Sequence, residues 1–215
     1  MITEDKIVKK VRSIMNEIGE DSNYSLLDED TIKIDEYIKS CIPDAVAMAI
    51  NNSPNRCVNP KSSTTSTVTN NQDGTGSIEL PDDFISLVAF KMNGWKRIVS
   101  KAYTLDSDEY KQQMNPATRA GKNKPVCILS YNGTGKRTLE YYSIGKQETP
   151  TVSIFVYEAA YNAVNGLNLT ESDAIYGAVC YLTASLVYSI FENPATAKEM
   201  QAVAINLIQN GIPHQ

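Results

Sequence analysis

"ELPDDFISLVAFKMNGWKRIVS", Glu79 to Ser100, is where the chain changes its hydrophobic period. Val88, Phe90 and Met92 alternate with Ala89 and Lys91, the two-residue period of a strand with one covered face. Asn93-Gly94 then supplies the positive φ angles that a type I′ hairpin turn requires. With a two-residue loop the register follows: Met92 faces Trp95, Phe90 faces Arg97 and Val88 faces Val99. The stretch therefore predicts a hairpin with the only tryptophan of the chain at its tip. There Trp95 is expected to pack on Met92 within the subunit and to present its outer edge to a neighbouring subunit, closure of its own core being the alternative, while Arg97 can lie over the ring of Phe90.

The strand period extends in both directions. Upstream, "SSTTSTVTNNQDGTGSIEL" is polar and Thr-rich and turns at Asp73-Gly74, which favours a hairpin over a loose loop. Downstream, "DSDEYKQQ" reads as a short helix opened by Asp106 or Ser107 and stopped before Pro116. "KPVCILSYNG", "KRTLEYYSIG" and "TVSIFVYEA" are three further strands separated by Gly-containing turns. Residues 56–164 are thus expected to form an antiparallel sheet and hairpin region.

Helices flank it. Ile7, Val11, Ile14, Met15 and Ile18 recur at helical spacing, with Thr3 to cap the start and Gly19 the end. Ile34, Ile38, Cys41 and Ile42 make a second stripe beginning near Asp28; Pro43 predicts a kink or restart, with "PDAVAMAI" continuing to about Asn51. "AIYGAVCYLTASLVYSIF", Ala174 to Phe191, is apolar all round. Asn193-Pro194 then opens a last amphipathic helix through Ala197, Met200, Ala204, Leu207 and Ile208, ended by Gly211. The order of helices, sheet and helices without βαβ alternation argues α+β: residues 1–55 and 165–215 form a helical bundle into which the sheet is inserted.

Composition excludes several functions. The 215 residues are 42% apolar and 21% charged, an ordinary globular balance. A net charge of -5 with dispersed lysines gives no basic footprint for specific nucleic-acid binding. Cys41, Cys57, Cys127 and Cys180 are scattered, without a CxxC pair, and the only histidine is His214. No metal site, Cys-His nucleophile or cofactor is expected from such a set, and buried free thiols point to a reducing compartment. The start, "MITEDKIVKKVRS", lacks the apolar run of a signal peptide. The uncharged run from Ala174 reaches the length of a membrane span, but its Tyr, Ser, Thr and Gly content and its acidic flanks, Glu171, Asp173 and Glu192, read it as a bundle's central helix. No membrane partner is expected.

"SYNGTGKRT" looks like a phosphate loop but has Ser130 where the first glycine belongs and Arg137 where Ser or Thr belongs, and it joins two strands; it reads as a β-turn. The carboxylates Asp28-Glu29-Asp30, Asp82-Asp83 and Asp108-Glu109 stand at element starts, where capping explains them, although a glycosidase-type pair could be drawn from them. No nucleophile elbow is present. Twelve tyrosines against four phenylalanines is an unusual balance. Tyr141, Tyr142, Tyr157 and Tyr161 fall on or beside strands, as sheet aromatics, sugar- or base-stacking surfaces, or interface residues. The Asn-X-Ser/Thr triplets at Asn51, Asn132 and Asn168 carry meaning only in a secreted eukaryotic chain.

"IELPDDFISLVAFKMNGWKRIV" (Ile78 to Val99), "DEYKQQMNPATRAGKNKPVCIL" (Asp108 to Leu129) and "LEYYSIG" (Leu139 to Gly145) resemble, in the same order, the head-to-tail connector proteins of tailed bacteriophages, also called portal adaptors or neck rings, and among them those of the crAss-like group. The shared pattern is an "LP.DF..LV" strand start, a "GW.R" tip, a "YK.Q.N..TR" helix and a "KPV" strand start, covering about a third of the chain. The resemblance implies a non-enzymatic virion protein: a ring, typically of twelve copies, in the neck, assembled in the bacterial host cytoplasm. Its partners would be further copies of itself, the portal protein, the next tail or neck ring protein, and genomic DNA that passes through the lumen without specific binding. Trp95, Arg97, Tyr176, Tyr181 and Tyr188 become candidate subunit-interface residues. Ile205, Ile208 and Ile212, in the segment Asn193 to Gln215, become candidates for portal docking.

An acidic lining would let a duplex slide by repelling its phosphates. A head-to-tail ring also needs two different buried faces on each subunit, for which the apolar helix and the tyrosines supply material. Two other classes stay open on sequence: a small cell-wall-degrading hydrolase using Asp82, Asp83, Asp108 or Glu109, and a glycan- or protein-binding virion module using Tyr141 or Tyr142.

Overall fold

The computed structural model describes residues 1–15, 28–53, 58–63, 67–142, 144 and 149–210, with 28–33 and 210 described by their backbone alone. The elements are, in order, α1 (Glu4–Ile14), α2 (Asp28–Asn52), β1 (Pro60–Ser62), β2 (Val68–Asn70), β3 (Gly76–Glu79), β4 (Phe84–Met92), β5 (Ala102–Tyr103), α3 (Asp108–Met114), β6 (Cys127–Tyr131), β7 (Arg137–Tyr141), β8 (Val152–Ala159), α4 (Ala174–Ile190) and α5 (Pro194–Asn210). The fold is mixed α+β, with five helices and two sheets among the described residues. The chain divides into two compact units, one made of Met1–Asn59 with Ala160–Gln215 and the other of Pro60–Ala159.

In the first unit α4 touches α1, α2 and α5. Asp173 caps its start by accepting from Ile175 N at 2.9 Å. Ile175, Ala178, Val179, Leu182, Ala184 and Val187 are buried together with Thr183 and Ser185. The two buried hydroxyls are satisfied: Thr183 Oγ1 donates to Val179 O at 2.8 Å and Ser185 Oγ donates across to Ala197 O of α5 at 2.7 Å. Gly177 leaves room for the Leu207 side chain of α5. α1 is fixed to this core twice, through Tyr176 Oη to Lys6 O at 3.2 Å and Tyr188 Oη to Met15 O at 3.3 Å.

Thr3 holds the N-cap position of α1 with extended backbone, but its side chain makes no capping bond. The expected end at Gly19 lies outside the described residues. At Pro43 the expected restart does not occur: α2 runs through the proline as one helix. Ile38, Cys41, Ile42, Ala45, Val46 and Ala49 form one buried stripe spanning it. Pro43 lies on the opposite, exposed face, as does Lys39, whose carbonyl loses its donor, so water can take that bond. α5 opens as expected, with Asn193 Oδ1 accepting from Thr196 N at 3.3 Å. Ahead of α4, Ile2 and Leu167 exchange two backbone bonds of 2.8 and 2.9 Å, tying the start of the chain to this unit's second segment. Gly166, at φ +61°, is needed there because a Cβ would overlap Ile2 O.

The second unit holds two sheets where one was expected. The first has the order β1-β8-β4 and is antiparallel; the second has the order β2-β3-β7-β6-β5 and ends in a parallel β5-β6 pair, with α3 between those strands in sequence. Phe84, Phe90, Met92, Phe155 and Tyr157 of the first sheet join Ile78, Cys127, Leu139 and Tyr141 of the second in a single core. Phe90 meets Phe155 edge to face at 5.8 Å between ring centres.

The hairpin at Asn93-Gly94 is the main correction. β4 spends its length on β8, and its own return contact is a single bridge in which Phe90 pairs with Val99, not with Arg97. Only Gly94 has positive φ, +79°, whereas a type I′ turn needs two such residues. Trp95 N still donates to Met92 O at 3.2 Å, so the four-residue turn forms and the chain then loops out before returning at Val99. The other two turns follow the sequence: Asp73-Gly74 joins β2 to β3, and the phosphate-loop look-alike joins β6 to β7, with Asn132 Oδ1 accepting from Thr134 N and Lys136 N.

Gly76 lies opposite Tyr141, whose ring crosses it so that the hydroxyl reaches Thr69 O at 2.9 Å. A Cβ at residue 76 would overlap both Thr69 O and that hydroxyl. Gly76→Ala is therefore expected to lower the unfolding free energy by about 2 kcal/mol, read from urea denaturation followed by the fluorescence of Trp95. An unchanged midpoint would remove the steric argument.

Candidate functional site

The residues that carry the motif pattern are occupied in building the second unit. Asp83, at the start of β4, accepts from Tyr157 Oη at 2.9 Å and pairs with Lys61 Nζ at 2.7 Å. Burial opposes its charge, but the bonds from Lys61 and Tyr157 outweigh it and hold the carboxyl below its usual value. Phe84 stacks on Tyr157 at 5.7 Å and lies 5.8 Å beneath the Arg137 guanidinium. Asp82 is exposed and offers its backbone carbonyl to Arg137.

The "YKQQMNPATR" segment folds on itself. Ser107 caps α3 by accepting from Tyr110 N at 3.2 Å. The buried Gln113 donates to Glu109 O at 2.9 Å and accepts from Ala120 N at 2.8 Å. Thr118 Oγ1 donates to Gln112 O at 2.8 Å, and Arg119 donates from Nε to Gln113 O at 3.1 Å while its Nη1 pairs with Asp73 at 3.3 Å. Asp108 is taken by Lys111 one helical turn on. Of the carboxylates considered for hydrolysis, Asp83 and Asp108 are thus held by lysines, and the side chains of Asp28, Glu29 and Asp30 lie outside the described residues.

The tyrosines considered for sugar stacking are turned inward, whereas Tyr131, at the end of β6, is exposed. Tyr141, Tyr142 and Tyr157 are buried, and each hydroxyl is committed: to Thr69 O, to Glu140 Oε2 at 2.6 Å and to Asp83. Burial pushes the Tyr141 hydroxyl up to about 12, with Asp73 adding to it. Tyr161 is half-buried and points its hydroxyl at Glu4. Cys41, Cys127 and Cys180 are buried free thiols; burial raises all three, Cys180 to about 12. Cys57 and His214 lie outside the described residues. Among the described residues no group of three or more His, Cys, Asp or Glu side chains could hold a metal, and no helix is long and apolar enough to cross a membrane.

The expected interface residues separate into two sets. Trp95 is 3% exposed, packs edge to face on Phe90 at 5.7 Å and so closes its own core instead of presenting an outer edge. Its indole N–H finds no acceptor among the described residues, a cost of about 1–3 kcal/mol that the burial of the ring must outweigh. Tyr176 is 5% exposed, and Tyr188 is half-buried and bonded to α1, so both serve the interior of the first unit. Ile208 is buried as well. Arg97 is exposed, Tyr181 and Ile205 are half-buried, and Ile212 lies outside the described residues.

One group of exposed apolar side chains lies at residues the sequence reasoning missed. At the C-terminal end of α4, Ile190 and Phe191 are 47% and 48% exposed, and Phe191 meets Tyr37 of α2 edge to face at 5.4 Å, with Tyr37 itself 41% exposed. Glu192 follows at φ +55°, a left-handed stop that turns the chain into α5. The signal was available: Phe191 is the last residue of the uncharged run, at the helix end where neighbouring helices give least cover.

Asp83 sets a pH test. Its folded value is depressed, so the folded chain binds fewer protons than the unfolded one between the two values. The stability it contributes is complete above the unfolded value of about 3.9 and is lost as pH falls through the folded value. Asp83→Asn should lower the urea midpoint at neutral pH and flatten its decline below about pH 4. Parallel acid limbs in the variant and the parent would show that the carboxylate contributes nothing.

No family model matches the chain, and no curated protein matches it.

Proposed function

We propose that the chain is a structural virion protein, the subunit of a ring that joins the portal to the tail of a bacteriophage and encloses the channel for its DNA. In this reading Met1–Asn59 and Ala160–Gln215 act as a helical bundle into which the sheet unit is inserted. The observation that carries it is the ordered set of three motif blocks, and the roles of their residues fit such a protein. Asp83, Phe84, Trp95, Gln113, Arg119, Leu139 and Tyr141 are spent on holding a scaffold together, so the likeness is one of architecture and not of catalytic surface.

A ring subunit must bury two different faces against its neighbours. The exposed Tyr37, Ile190 and Phe191 supply apolar surface for one. Arg97 and Tyr181 keep their place as interface candidates, and Ile205 on α5 as a candidate for the portal. With a net charge of -5 the ring would carry excess negative charge, which suits a channel that must release a duplex instead of gripping it. The ring would sit in the virion neck, having been assembled in the cytoplasm of the host.

Light scattering and negative-stain imaging of the purified chain mixed with its portal test this directly. Closed rings on the portal are expected; a strict monomer that ignores the portal at micromolar concentration overturns the reading. Phe191→Ser should reduce ring yield while lowering the unfolding free energy by only about 0.5–1.5 kcal/mol, the worth of its edge-to-face contact with Tyr37. Equal ring yield would take the Tyr37–Phe191 surface out of the interface.

A further inference from the structure

Four Asn-Gly dipeptides occur in the chain, at Asn93, Asn132, Asn165 and Asn210. We propose that Asn93 is a site of spontaneous covalent modification, in which the side-chain amide is lost and the peptide link to Gly94 is partly isomerised. Glycine favours this chemistry because it has no side chain to block ring closure and its backbone moves freely. The surroundings of each pair decide which one reacts.

At Asn132 the carboxamide is clamped. Its Oδ1 accepts from Thr134 N at 3.0 Å, Thr134 Oγ1 at 2.7 Å and Lys136 N at 2.9 Å. Turning it toward Gly133 would break all three. At Asn165 the attacking nitrogen is already spent: Gly166 N donates to Asn162 O at 2.9 Å, and the residue is buried against Ile2. Asn210-Gly211 extends past the described residues. At Asn93 both residues are exposed, and Gly94 N faces the Asn93 carboxamide, with its oxygen at 3.1 Å. Among the described residues that nitrogen has no other acceptor, while the neighbouring N–H groups of Asn93 and Trp95 are fixed to Thr151 O at 2.8 Å and Met92 O at 3.2 Å. The reacting nitrogen is thus held only by the carboxamide that it would attack, in a turn fixed on both sides.

The step balances without a co-reactant other than water. Gly94 N loses its proton to solvent base and bonds to Asn93 Cγ; the side-chain NH2 takes a proton back from solvent and leaves as ammonia, giving a five-membered succinimide. Water then opens either carbonyl. One product is aspartate; the other is isoaspartate, in which the main chain runs through the former side chain and is one carbon longer. Both place a negative charge among Lys91, Lys96 and Arg97, and the longer link alters the turn closed by Trp95 N on Met92 O. The indole, buried at the start, is thereby loosened from Phe90.

The experiment uses the full chain held in mildly alkaline buffer and sampled over time. Peptide mapping by mass spectrometry, with fragmentation that distinguishes isoaspartate, locates every amide-to-acid change. Acid is expected at Asn93 at least several-fold faster than at Asn132 or Asn165, in part as isoaspartate. Conversion at Asn93 no faster than at either overturns the proposal. Trp95 emission should shift to the red in step with conversion, and Asn93→Gln, or Asn93→Ser if that variant folds poorly, should hold its emission constant. An unshifted parent after conversion, or an equal shift in the variant, overturns the coupling to Trp95.

Discussion

A helix without a charged side chain must be covered on nearly every side, and α4 imposes that condition on the whole helical unit. Each large apolar side chain it buries contributes about 1.5–3 kcal/mol, and no single neighbour could cover them all, so α1, α2 and α5 are all drawn against it. Its polar groups do not oppose this. Thr183 bonds within the helix, Ser185 bonds to α5, and Tyr176 and Tyr188 bond to α1. The hydroxyls thus turn an otherwise non-directional attraction into specific attachments, which fixes which helix lies where. Where the cover ends, at Ile190 and Phe191, the helix ends too.

The sheet unit solves a different problem with the same means. Two small sheets share one core of aromatic and aliphatic side chains, and the polar segments around them are held by side chains that reach back to the backbone. Gln113 and Arg119 stand in for the regular ladder that an irregular stretch lacks, as Asn132 does in its turn. Tyr141 fills the space left by Gly76 while its hydroxyl reaches a carbonyl of the next strand. Such residues look like surface chemistry in a linear sequence and prove to be internal carpentry.

Much of the architecture could be read from the chain because it depends on local order. Helix starts at Glu4, Asp108, Ala174 and Pro194, the strands at Cys127, Arg137 and Val152, and two of the three hairpin turns follow from period and capping residues alone. The failures came where distant partners decide. Met92 and Trp95 do form a turn, but β8 competes for β4 more effectively than the short return segment does, because it offers eight residues of strand. The restart expected at Pro43 gives way to the continuous buried stripe on the other side of α2. Of the tyrosines expected at an interface, Tyr176 and Tyr188 bond to carbonyls that no sequence window contains. The strand pair β5-β6, two residues long and parallel, carries no pattern at all. Trp95 is expected from the sequence to present its outer edge to a neighbouring subunit; burial against Phe90 closes it into its own core instead.

The helical unit is discontinuous in sequence: α1 and α2 come before the sheet region, α4 and α5 after it, and the exchange between Ile2 and Leu167 closes the two segments on each other. During synthesis this sets an order of events. Residues 60–159 leave the ribosome as an uninterrupted set and can complete their core first, whereas α1 and α2 must wait with apolar stripes uncovered until the helix that they pack on has been made. Nascent chains of this protein therefore pass through an interval in which the earliest segments depend on the latest, and a chaperone that shields α2 would act on that interval and not on the finished fold.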